Sequence, residues 1–192
     1  AGGFPVELPA LSVGEVMVKP TTMLYRNLLA LETEELLRSH PIDGAVLLGG
    51  CDKSTPAMLM GAFSMDIPAV FCPAGFMSSD RWKGIKVGAG THTKTFHDQL
   101  RRGEIGPDDW IELEGHMSRS PGTCNTMGTA STMTTLADAM GLTLTGASSI
   151  PAMDARHARM AARTGALAVE MVQHDRRPSR LLTQASIHNA LV

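Results

Sequence analysis

Aromatic side chains are scarce. Five Phe, two Trp and one Tyr make up 4% of 192 residues, against 13 Met. The core is therefore expected to be filled by Met, Ala and Leu, a packing feature with no function attached. Cysteine is scarce as well: three residues, an odd count, in a chain with no signal-peptide pattern. That argues against a disulfide framework and leaves metal binding or catalysis as the default role of a thiol. No apolar run approaches a membrane span, so no membrane partner is expected and a cytoplasmic location is the default. There is no basic block, and the net charge is −2, which argues against nucleic acid as a main partner. What remains is a soluble globular composition, 43% hydrophobic and 19% charged. Its length suits one well-packed domain, or a domain with an appendage. Neither internal repeats nor low-complexity tracts occur.

The order of elements points to an α/β fold. A helix capped by Thr21 or Thr22 is expected through Leu31, and a second from Thr33 to about Ser39, where Pro41 disfavours helix before it. Residues 44–48 read as a short buried strand, 55–65 as a helix with Pro56 at its start, and 67–72 as a second buried strand. Strand, helix, strand in that order is a βαβ unit and implies parallel pairing. Residues 78–90 read as a Gly- and Lys-rich loop. Helices are expected over 95–102, 107–114, 126–140 and 154–174, with a short strand at 142–144 and a last helix from about Thr183. The chain lacks an initiator Met and ends within a helical pattern that carries no stop signal. It reads as a piece of a longer protein, truncated at both ends.

The richest stretch is residues 49–57, Gly-Gly-Cys-Asp-Lys-Ser-Thr-Pro-Ala. Cys51, Asp52 and Lys53 stand in tandem between two apolar runs, where a buried strand ends. Buried charges need a partner or a metal, and open α/β sheets bind ligands at the carboxyl ends of their strands. A second thiol, Cys124, lies in a Gly/Pro/Ser-rich turn over residues 118–128. The bland reading makes Cys51 a buried small hydrophobe, Asp52 a helix cap, Lys53 a solvent-exposed amine and Cys124 a loop thiol. Two cysteines, each at an element boundary in a Gly-flanked turn, favour a metal or iron–sulfur site, because glycine lets backbone approach a cluster closely. Two other classes fit less well. A phosphate-binding module could use the Gly-Gly loop at a helix N-terminus, but the loop lacks the Gly-Lys-Ser/Thr ending of a P-loop. A structural zinc module is poor, since no Cys-x-x-Cys pair is present.

Residues 50–57 resemble the Cys-Asp-Lys signature of the dihydroxy-acid dehydratase/6-phosphogluconate dehydratase family. Residues 118–132, Ser-Arg-Ser-Pro-Gly-Thr-Cys-Asn-Thr-Met-Gly-Thr-Ala-Ser-Thr, resemble its second cysteine segment. The wording there, and in Pro-Thr-Thr-Met-Leu-Tyr-Arg-Asn-Leu over 20–28, is closest to the sugar-acid (arabinonate/xylonate/galactonate-type) branch. The resemblance implies a three-layer α/β/α domain with a largely parallel sheet. It implies a hydro-lyase that converts a 2,3-dihydroxy acid, a sugar-acid substrate, to a 2-keto-3-deoxy acid. An iron–sulfur cluster, [2Fe–2S] in preference to [4Fe–4S], would act on the departing C3 hydroxyl, and Mg²⁺ on the carboxylate and enolate. By position, Cys51 and Cys124 are implied cluster ligands, and Glu15, Asp52 and Lys53 implied Mg²⁺ ligands. Lys53 matches a lysine N-carbamylated in related enzymes, where CO₂ turns an amine into an oxygen donor that Mg²⁺ accepts.

The resemblance also sets out what is missing. The family's third cluster cysteine and its C-terminal β-barrel domain have no counterpart here, so residues 1–192 correspond to a single N-terminal cluster-binding domain, expected to be inactive by itself. A homo-oligomeric parent, dimer or tetramer, is implied. Within the family, the alternative is a dihydroxy-acid dehydratase of branched-chain amino-acid biosynthesis. Cys72 stands where the family tends to have a small residue and reads as a buried structural thiol. Ser118, Arg119, Ser120, His92 and His97 are weaker pocket candidates. His157 and His174 are read as polar-face residues of a long helix.

Overall fold

The computed structural model describes all residues except Ser12, Glu15 and Val16. A 3-10 turn at Thr22–Tyr25, capped by Thr21, runs directly into helix α1, Arg26–Ser39. This is one helix, where two were expected. Thr33 caps nothing: it is buried in mid-helix, its hydroxyl donating to the Leu29 carbonyl at 2.8 Å, which satisfies the group within its own helix. Strand β1 (Ala45–Gly49), helix α2 (Ser54–Met65) and strand β2 (Ala69–Pro73) form the expected βαβ unit. The strands pair in parallel, from Ala45 opposite Ala69 to Gly49 opposite Pro73. Helix α2 starts at Ser54, so Thr55 lies inside its first turn and is not its cap.

Residues 78–90 are more ordered than a loop. β3 (Asp80–Trp82) and β4 (Ile85–Val87) form an antiparallel hairpin. Its two-residue turn, Lys83 and Gly84, has φ of 46° and 81°, and two positive φ values give the twist that matches paired strands. Three-residue strands are too short to display alternation, and lysine at the turn hides it further. Helix α3 (Ala89–Arg101) follows at once, before the expected start at Thr95, and α4 spans Pro107–Met117. Helix α5 is Thr129–Ala139, because residues 123–128 are held in a loop. Helices α6 (Ala155–Gln173, capped by Asp154), α7 (Pro178–Leu181) and α8 (Gln184–Leu191, capped by Thr183) complete the chain. Residues 142–144 are not a strand, although the Leu142 carbonyl accepts from Phe71 N–H at 2.7 Å and so flanks β2.

The layers follow from strand alternation. Leu47 and Phe71 pack on Met58, Leu59 and Ala62 of α2, with Leu37 of α1 in the same cluster. On the opposite face Cys72 packs on Met160 of α6. β2 is buried along its whole length, whereas Val46 and Leu48 of β1 are 46% and 65% exposed, so β1 is covered on one face only. A second core joins the hairpin to α3 and α4 through Trp82, Val87, Phe96, Leu113 and Met117. Burying apolar area at about 25 cal/mol per Å² drives both clusters. Among the described residues no helix is long and apolar enough to cross a membrane.

Candidate metal centre

Parallel pairing places the ends of β1 and β2 side by side, and both cysteine segments gather there. The Cys51 loop leaves β1 while the Gly49 carbonyl still accepts from Ala74 N–H at 2.8 Å. On the other edge of the β2 extension, Thr123 N–H donates to the Gly75 carbonyl at 2.9 Å, and its own carbonyl accepts from Met77 N–H at 2.9 Å. The Cys124 segment is thereby fixed as a short parallel bridge, Phe76 to Thr123. Two glycines make this possible. Gly122 has φ of +133°, and a Cβ there would lie 2.5 Å from Met77 N. Gly50 passes so close to the Thr123 side chain that a Cβ would strike it. Asn125 closes the loop against the hairpin, its amide donating to the Ser78 carbonyl at 3.2 Å. The Cys124 sulfur faces the start of α3, where a Cβ on Gly90 would sit 3.5 Å from Sγ.

Asp52 joins the two segments. The Thr129 hydroxyl donates to its Oδ2 at 2.6 Å. Its Oδ1 accepts from the Cys51 thiol at 3.2 Å and pairs with Lys53 Nζ at 3.2 Å. The Asp52 and Lys53 side chains are only 16% and 13% exposed. Asp52 is therefore no helix cap, and Lys53 does not extend into solvent. Burial works to raise the Asp52 pKa. Hydrogen bonds from Thr129, Cys51 and Lys53, together with the Lys53 charge, outweigh it and hold the carboxyl below its ordinary value.

Cys51 is exposed and Cys124 half-buried. Cys72 is buried, with Sγ 3.9 Å from Met160 Sδ, and burial pushes its thiol pKa up; it packs on the α6 side with Ala147. Arg119 is engaged with Asp80, Nε to Oδ2 at 3.1 Å, and His116 reaches the same oxygen at 2.9 Å. The Ser120 hydroxyl accepts from Ser78 N–H at 2.8 Å. His92 accepts from Gly88 N–H, His97 packs edge-on to Trp110, and His157 bonds the Pro73 carbonyl at 2.9 Å. Each of these groups has a partner within the fold. Glu15 lies outside the described residues. One thiol against a hard carboxylate, with a second thiol on the adjoining loop, suits an iron–sulfur cluster next to a divalent cation in kind. In number they fall short: among the described residues no three His, Cys, Asp or Glu side chains converge on one point. Sequence reasoning singled out neither Thr129 nor Gly90; Thr129 entered only within the stretch 118–132 that carries the family resemblance.

Thiols, a carboxylate and an amine thus lie at the carboxyl ends of parallel strands, the place where open α/β sheets bind ligands. Residues 1–192 match the family description "Dihydroxy-acid/6-phosphogluconate dehydratase N-terminal", and the chain belongs to this family of dehydratases. It is 68% identical over 191 residues to a 6-deoxy-6-sulfo-D-gluconate dehydratase of Pseudomonas putida. It is 48% identical over 191 residues to an L-arabinonate dehydratase of Rhizobium leguminosarum bv. trifolii, and 33% identical over 198 residues to a dihydroxy-acid dehydratase of Natronomonas pharaonis. Each match covers 100% of this chain and 33% of the relative, so the chain spans about a third of the length of these curated relatives.

Proposed function

We propose that this chain forms the cluster- and cation-binding part of a hydro-lyase that removes water from a sugar acid, giving a 2-keto-3-deoxy acid. The carrying observation is the meeting of the Cys51-Asp52-Lys53 and Cys124 segments around the end of β2, clasped by Asp52 and Thr129. The C2 proton and the C3 hydroxyl leave as water, and the resulting enol takes a proton at C3 to become the ketone. When bound, an iron–sulfur cluster, [2Fe–2S] in preference to [4Fe–4S], and Mg²⁺ supply Lewis acidity toward the C3 hydroxyl and positive charge for the enolate. Cys51 and Cys124 would hold the cluster, and Asp52, Lys53 and Glu15 the cation. As an ammonium, Lys53 pairs with Asp52 and competes with a cation for it. Addition of CO₂ to the neutral amine, with loss of a proton, gives a carbamate that offers an oxygen instead. Residues 49–57 and 118–128 carry Cys51, Asp52, Lys53 and Cys124 to one strand end, and the low exposure of Asp52 and Lys53 strengthens their electrostatics.

The identities support a sugar acid as the substrate class. At 68% against 33%, the chain is far nearer a sugar-acid enzyme than a dihydroxy-acid dehydratase, and 6-deoxy-6-sulfo-D-gluconate is the first candidate. The test is a chimera in which this chain replaces the matching third of the Pseudomonas putida enzyme. The chimera should form 2-keto acid from 6-deoxy-6-sulfo-D-gluconate and lose that activity on Cys51→Ser or Asp52→Asn. A folded chimera that forms none, beside an active parental enzyme, contradicts the proposal.

A further inference from the structure

Helix α1 carries its buried side chains on one stripe: Thr22 in the turn before it, then Leu29, Ala30, Thr33 and Leu37. Steps of three or four residues keep them on one face. Arg26 falls on that stripe, one turn after Thr22 and one turn before Leu29 and Ala30. It is half-buried, and its Nε is buried with no hydrogen-bond partner among the described residues. The hydroxyls of Thr55 and Thr143 share that condition, but an unpaired charged group costs more than an unpaired neutral one. A guanidinium on a core-facing stripe calls for an anion. The helix register says where that anion would lie. Ala57 of α2 packs with Leu29 and Ala30, and one turn on Gly61 abuts Ala30, Thr33 and Glu34. The two helices therefore run in the same direction. The same step backward brings Arg26 level with Lys53, just ahead of α2. Helical side chains lean toward the N-terminus, which directs Arg26 toward the end of β1, where Cys51, Asp52 and Lys53 gather.

We propose that Arg26 is a substrate-binding residue that takes an oxyanion of the sugar acid, a carboxylate or a sulfonate, in a two-point ion pair. The inference rests on the functional reading above, in which a sugar acid is held beside residues 51–53. A guanidinium donates from Nε and one Nη in parallel, a fork that matches two oxygens of one oxyanion. The unpartnered Nε is one tine of that fork. Lysine offers a point charge and no fork, so it would not replace arginine here.

The test is steady-state kinetics of the chimera with 6-deoxy-6-sulfo-D-gluconate, beside its Arg26→Lys and Arg26→Met variants, with thermal melts of the substrate-free proteins. Both variants should raise KM by about tenfold or more, Arg26→Met by at least as much as Arg26→Lys, with kcat changed far less. The melting temperature of Arg26→Met should hold or rise, since the Nε it removes has no partner among the described residues. Two competitors identify the oxyanion. D-gluconate carries the carboxylate alone and 6-deoxy-6-sulfo-D-glucose the sulfonate alone; the one that Arg26 holds should inhibit both variants less than the parent. A parental KM in folded Arg26→Lys or Arg26→Met overturns the inference and leaves the functional reading standing; if the melting temperature falls as well, Arg26 belongs to an ion pair inside the longer protein. A parental chimera that forms no 2-keto acid overturns that reading itself, and the inference with it.

Discussion

Asp52 gathers three donors from two distant segments, so its charged form is favoured in the fold over the unfolded chain. The stabilisation is fully present above the ordinary value of 3.8 and is lost as pH falls through the lower folded value. The denaturation midpoint of the parent should therefore fall more steeply below pH 3.8 than that of Asp52→Asn, as read by circular dichroism; parallel curves would contradict the assignment. At this scale the sequence was informative where chemistry is contiguous. Cys-Asp-Lys after an apolar run announces a site, because a core has no use for three adjacent ionisable groups. It was silent on Thr129, since a hydroxyl aimed at a carboxylate 77 residues away leaves no periodicity behind.

Helices α1 and α2 meet backbone to backbone at Gly61, where a Cβ would lie 2.6 Å from the Ala30 carbonyl oxygen and 2.7 Å from the Thr33 side chain. Gly61→Ala should destabilise the fold. Overpacking costs about 1–3 kcal/mol, more than the roughly 1 kcal/mol that alanine gains over glycine in a helix. Gly115, in α4, has nothing within 4 Å of a Cβ, and Gly115→Ala should stabilise by up to about 1 kcal/mol. Opposite signs in urea unfolding are the expected outcome; a stabilising Gly61→Ala would contradict the packing. The βαβ unit and most helices were legible because each has an apolar period and a Pro or Gly boundary. The hairpin over residues 80–87 and the early start of α3 were not. Their strands are too short to alternate, and they are stabilised by the remote partners Phe96, Leu113 and Met117.

For the whole molecule, the sheet is the device that turns sequence distance into proximity. Cys51 and Cys124 stand 73 residues apart, yet their segments flank one strand end, because β1 and β2 are parallel and Thr123 bridges the β2 extension. Cys72, on the neighbouring strand, points into the α6 face and packs with Met160. On the proposed function, Cys51 and Cys124 serve a cluster and Cys72 serves the core. The most direct measurement is iron and acid-labile sulfide in the anaerobically reconstituted chimera and its Cys51→Ser, Cys124→Ser and Cys72→Ser variants. Iron and sulfide should be lost in the first two and retained in Cys72→Ser. Full iron and sulfide in Cys51→Ser or Cys124→Ser, or their loss in a folded Cys72→Ser, would contradict it.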